Sequence, residues 1–146
     1  MFKVNIYLAQ DTASTSKYKR SHGFVIAYKK KNGEDETRQG FGETEETYHG
    51  ATLICLLDAM ELLTQPCEIT VHSEDRFVLN MMKNNLEKWA ETDFRNAKGD
   101  PLKHAELWEE LWEIIAEKGH ELEIESGHHA YSEWLESEMK RREKNV

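Results

Sequence analysis

The sequence predicts an α/β fold, a five-stranded mixed sheet with helices packed on both sides, and three observations carry that reading. Val4, Ile6 and Leu8 alternate with Asn5 and Tyr7, the two-residue period of a strand with one face on a core. Asn32-Gly33 separates two extended runs, HGFVIAYKK and TRQGFGETEE, which is a hairpin signal. GATLICLLDAMELL, residues 50–63, is apolar nearly all round, as expected of a helix laid on a sheet and covered from outside.

The elements follow in order. VNIYLAQ, residues 4–10, is the first strand, and the polar stretch DTASTSKYKRS reads as a loop before the hairpin strands. The first helix stops at Gln65-Pro66, and CEITVHSE follows as a short strand rich in β-branched residues. EDRFVLNMMKNNLEKWAE has helical spacing, and Gly99 and Pro101 mark a loop. HAELWEELWEIIAEKG sets Leu107, Trp108, Leu111, Trp112 and Ile115 on one core-facing stripe, with Gly119 as its stop. ELEIES alternates as a fifth strand, and the loop GHHAY leads into a charged helix, SEWLESEMKRREK. The order β-β-β-α-β-α-α-β-α suits a mixed sheet, and with no repeat or linker residues 1–146 read as one domain.

Composition narrows the function. A net charge of −9 argues against a protein that coats nucleic acid, because such affinity comes from lysines and arginines that neutralise phosphates. Local basic sites remain at Lys17, Lys19 and Arg20, at Lys29 to Lys31, and at Arg141, Arg142 and Lys144. No apolar run approaches the roughly 20 residues of a membrane span, and the N-terminus has no signal-peptide pattern, so a cytoplasmic protein is expected. Cys55 and Cys67 lack metal-binding spacing and read as buried, reduced thiols.

The element order and several stretches resemble type 1 ribonuclease H, which cuts the RNA strand of RNA–DNA hybrids. The most specific part is Cys67 to Leu111: CEITVHSEDRFVLN resembles the family's fourth-strand segment, and Trp89, Phe94, Pro101, Lys103 and Leu107-Trp108 fall at its spacings. Gly127-His128 is similar to its Gly-His loop before the last helix. The resemblance implies an RNase H-like fold and four carboxylates holding two magnesium ions about the scissile phosphate. One metal generates the nucleophilic water and the other stabilises the leaving oxygen.

Laid on that pattern, the first-strand aspartate becomes Ala9, followed by Gln10, and the first-helix glutamate becomes Thr52. The fourth-strand aspartate becomes Glu74 and the last-helix aspartate Glu138, each longer by a methylene, while His128 stands as in the family. A displacement of about 1 Å in a positioned site costs on the order of 100-fold. Asp11 shares the strand parity of Ala9 and reaches the site if the loop bends inward, whereas Asp75 reads as structural, either pointing to the opposite face or beginning the next helix. Glu74 and Glu138 together would hold Mg²⁺ or Mn²⁺ only weakly.

The implied substrate side is altered as well. The family's basic protrusion is reduced to Arg95, Lys98 and Lys103, with Ala90, Glu91 and Thr92 after Trp89; Trp89 and Phe94 either line a groove or pack the protrusion onto the body. Lys17, Lys19, Arg20 and His22 offer a different nucleic-acid contact, and Tyr48 and His49 stand where the family has polar hybrid-contacting residues. Three readings follow: an impaired homologue retained to bind nucleic acid or protein, a hybrid nuclease rebuilt on Glu74 and Glu138, or a protein-interaction module that never meets nucleic acid.

Overall fold

The computed structural model describes residues 1–14 and 16–144. Strands β1 (Phe2–Gln10), β2 (Tyr18–Lys29) and β3 (Asp35–Glu46) precede helix α1 (Tyr48–Met60) and strand β4 (Cys67–Ser73). Helices α2 (Arg76–Asn84), α3 (Leu86–Glu91) and α4 (Ala105–Lys118), strand β5 (Glu121–Ser126) and helix α5 (Ser132–Lys144) complete the order. The sheet runs β3-β2-β1-β4-β5. β1 pairs antiparallel with β2 and parallel with β4; β2 pairs antiparallel with β3 and β4 parallel with β5, so the sheet is mixed as predicted.

Burial explains the two layers. Val4, Ile6, Leu8, Phe24, Ile26, Ile69 and Val71 turn one sheet face into the main core, against Leu53, Leu56 and Met60 of α1 and Trp108 and Leu111 of α4. Leu107, Trp112 and Ile115 pack partly buried around them, so the α4 stripe lies on the core. On the opposite face, Leu135 and Met139 of α5 cover Val25, with Tyr7, Ala9 and Phe41 beside them. Gly33 (φ 87°) turns the hairpin and Gly119 (φ 72°) ends α4, both in the left-handed region that glycine enters without a Cβ penalty.

Three boundaries differ from expectation. β2 begins at Tyr18, so Tyr18 to Ser21 are strand and not loop. The helix expected across residues 74–91 breaks at Asn85, which ends α2 and begins α3. α1 starts at Tyr48 because Thr47 caps it, its hydroxyl accepting from Gly50 N–H, and it stops at Met60, three residues before the predicted end. Among the described residues, no helix is long and apolar enough to cross a membrane.

Candidate functional site

Parallel pairing carries β1 and β4 to the same end of the sheet, and α1 starts beside them. A crevice beyond the carboxyl ends of neighbouring parallel strands is where such sheets place ligands. A cavity of about 130 Å³ lies there, and its walls include Ala9, Gln10, Asp11, Thr52, Glu74 and Glu136. Four of these were anticipated from sequence, Ala9, Asp11, Thr52 and Glu74; Gln10 was noted only as a neighbour.

Glu136 replaces an expectation. Glu138 does not line this cavity: Arg141 holds its carboxylate at 2.7 and 3.1 Å along α5. Ser132, Leu135 and Met139 form the buried stripe of α5, and at 100° per residue the two glutamates flank that stripe on opposite sides. Only the flank carrying Glu136 meets the cavity. The apolar stripe was the sequence signal for this register.

Gln10, Thr52 and Asp75 are mutually committed at the crevice. Gln10 Nε2 donates to the Tyr48 carbonyl at 2.7 Å and to Thr52 Oγ1 at 2.8 Å. Thr52 Oγ1 in turn donates to Asp75 Oδ2 at 2.7 Å. Asp75, buried at the N-terminus of α2, accepts from Val78 N–H at 3.1 Å, and His49 Nδ1–H lies 2.9 Å from both its oxygens. Asp75 therefore caps its helix, as its position suggested, while also closing the network. Burial pushes the Tyr48 phenol up to about 12, and the charges of Asp75 and Glu74 add to that.

Arg20, expected among exposed nucleic-acid contacts, is 1% exposed. Its parity with His22 and Phe24 in the extended β2 turns it inward. Its Nε–H donates to the Glu46 carbonyl, Nη1 to Gln10 Oε1 and the Thr12 carbonyl, and Nη2 to the carbonyls of Ser14 and Ser16, so all five donors are used. His22 is buried too, with Nε2 3.3 Å from Asp58. Lys17, Lys19 and Lys103 stay exposed, and Lys19 pairs with Glu43 at 3.1 Å. The Lys144 side chain lies outside the described residues.

Phe94 is buried in the main core, and Trp89 packs edge-on to Trp108 at 5.1 Å between centroids. The aromatic pair thus fastens the α3 region to α4; Phe94 has no face left for a nucleic-acid groove, and Trp89 packs into the same core. His128 is exposed, and its neighbour His129 reaches inward, Nε2–H donating to the Leu8 carbonyl at 2.8 Å. Burial holds the His129 pKa below its ordinary value. Among the described residues, no three His, Cys, Asp or Glu side chains gather closely enough to hold a metal ion.

A five-stranded mixed sheet with this strand order and this crevice defines an RNase H-like fold. The chain belongs to the RNase H family, whose model matches residues 3–135. It is 35% identical over 80 residues to a ribonuclease H of Xanthomonas oryzae pv. oryzae, covering 55% of this chain and 53% of that protein. It is 27% identical over 112 residues to a ribonuclease H of Pelobacter propionicus, covering 77% and 66%. The chain thus spans about half the length of the first of these relatives.

Among solved structures, LC9-RNase H1, described as a type 1 RNase H with the type 2 active-site motif, superposes with a TM-score of 0.69 at 16% identity, covering 94% of this chain and 70% of that one. RNase H1 of Halobacterium salinarum gives 0.60 at 12% identity, covering 96% and 98%. The foamy viral protease-reverse transcriptase in complex with RNA/DNA hybrid gives 0.67 at 16%, covering 99% and 20%.

Proposed function

We propose that this chain is a ribonuclease H homologue whose metal-dependent hybrid cleavage is lost or strongly impaired, and whose fold is kept to bind nucleic acid. The observation that carries this reading is the committed network at the crevice. Magnesium needs anionic and neutral oxygens in near-octahedral array. Ala9 offers a methyl group, Gln10 turns its amide N–H groups inward, and the Thr52 hydroxyl is engaged with Asp75. This donor set does not fit two metal ions. Relatives named as ribonucleases H, and a structural neighbour solved with an RNA/DNA hybrid, support that hybrid as the first ligand to test.

A second reading has its own observation: the carboxylates of Glu74 and Glu136 line one cavity, a pair on which a single divalent ion would bind weakly. One experiment separates the two. Binding and cleavage of a labelled RNA–DNA hybrid are followed with Mg²⁺ and with Mn²⁺, using wild type beside Glu74→Gln and Glu136→Gln. Salt-sensitive binding without metal-stimulated cleavage is expected. Metal-stimulated cleavage that both substitutions abolish would establish the rebuilt site instead.

A further inference from the structure

The crevice holds one arrangement that the lost metal chemistry does not use. His49, in the first turn of α1, directs Nδ1 at the Asp75 carboxylate, 2.9 Å from each oxygen. Asp75 is 1% exposed and takes further hydrogen bonds from Thr52 Oγ1 and Val78 N–H. A carboxylate oxygen accepts, so with Nδ1 within hydrogen-bond distance of both Asp75 oxygens the tautomer that fits this contact carries its proton on Nδ1. The lone pair is then on Nε2. That atom has no partner among the described residues and is not among the buried unpartnered atoms, while the His49 side chain is 30% exposed. A histidine oriented by a buried aspartate, with its far nitrogen open, is the geometry of a general base.

The surroundings indicate what such a base would meet. Phe77, 53% exposed, tilts against the His49 ring at 4.6 Å, and Tyr48 flanks the other neighbour position at 5.6 Å. Exposed aromatic rings are stacking platforms for unpaired bases. Arg76, at the start of α2 beside Phe77, is exposed and belongs to none of the ion pairs among the described residues, which leaves it for a phosphate. An RNA strand carries base, phosphate and a 2′-hydroxyl at the spacing of one nucleotide, and that hydroxyl is a nucleophile that needs a base and no metal.

We propose that His49, positioned by Asp75, is the general base of a metal-independent cleavage of RNA. Nε2 takes the 2′-hydroxyl proton, and the 2′ oxygen bonds to the adjacent phosphorus as the P–O5′ bond breaks. The departing 5′ oxygen takes a proton from water, and the imidazolium returns its proton to the hydroxide so formed. The products are a 2′,3′-cyclic phosphate and a 5′-hydroxyl, with no oxidant, reductant or second substrate consumed. DNA, without the 2′-hydroxyl, is not a substrate.

The test uses the full chain with EDTA and a labelled RNA 20-mer, alone and annealed to DNA, with the all-DNA strand as control. Cleavage of an RNA-containing substrate to cyclic-phosphate ends is expected, with His49→Gln reducing the rate by about 100-fold or more, since Gln keeps a donor for Asp75 but is no base. Asp75→Asn, which still caps α2, is expected to reduce it at least about tenfold with the melting temperature following that of wild type to within a few degrees. No cleavage in EDTA, cleavage that His49→Gln leaves unchanged, or cleavage of the DNA strand would each overturn the proposal. Failure here is distinct from failure of the binding reading, which would show as metal-stimulated cleavage dependent on Glu74.

Discussion

Arg20→Met tests whether the basic stretch before β2 serves structure or nucleic acid. The guanidinium is 1% exposed and its five N–H groups are all bonded, four acceptors being carbonyls and the fifth Gln10 Oε1. Methionine keeps the length and apolar stem and removes every donor. At about 1 kcal/mol net per bond, with the carbonyls at residues 12, 14 and 16 regaining water as their loop opens, the loss is about 4 kcal/mol. For a chain of this size that is roughly a quarter to a half of a typical stability of about 7–15 kcal/mol. At about 2–4 °C per kcal/mol, the midpoint falls by roughly 8–16 °C. Urea and thermal melts measure this, beside Lys17→Met and Lys19→Met, whose exposed side chains predict shifts within about 0.5 kcal/mol. Hybrid affinity at two salt concentrations completes the comparison. An Arg20→Met protein with unchanged stability and weakened binding would refute the structural role.

The remaining predictions concern the crevice, the histidines and the thiols. Ala9→Asp with Thr52→Glu should raise Mn²⁺ affinity in calorimetry, and adding Glu136→Gln should reverse the gain while Glu138→Gln should not, because only Glu136 lines the cavity. Burial holds His72, His104, His120 and His129 below the ordinary histidine value. The unfolded chain therefore takes up these protons first, so stability is fully present above about pH 6.5 and declines as pH falls below it. Urea midpoints at pH 7.5 and 5.5, a range above most carboxylate titration, should show that decline, and a flat profile would contradict it. Cys55 and Cys67 are free and buried, and burial pushes both thiols up. Neither should react with a thiol reagent at neutral pH until the chain unfolds; rapid labelling of the native protein would count against the packing described.

The strands and helices were legible where one face is apolar. Val4, Ile6 and Leu8 announce β1, and the Trp108 and Leu111 stripe announces α4, because burial imposes its period on the residues. The start of β2 was hidden because Tyr18, Lys19, Arg20 and Ser21 include no aliphatic residue; the inward position at Arg20 is satisfied by hydrogen bonds and cation–π contact with Tyr18, not by burial of an apolar side chain. The break at Asn85 left no mark in the apolar spacing, since α2 and α3 both turn their apolar residues to the same core. At the crevice, Ala9, Thr52 and Glu74 were readable from local motifs on rigid strands and the first helix. Glu136 was missed because the family pattern points to Glu138, whereas the seating of Leu135 and Met139 sets the rotation of α5. The His49–Asp75 contact joins residues 26 apart in sequence, a separation no local pattern encodes.

The measurement that bears most directly on the central claim is hybrid cleavage with Mg²⁺ and, separately, with Mn²⁺, scored by the ends produced, for wild type beside Glu74→Gln. Retained salt-sensitive binding with no metal-stimulated release of 3′-hydroxyl and 5′-phosphate ends is the expected result. Metal-stimulated cleavage abolished by Glu74→Gln would mean that the crevice still assembles a working metal centre around Glu74, and that the network of Gln10, Thr52 and Asp75 has not displaced the chemistry.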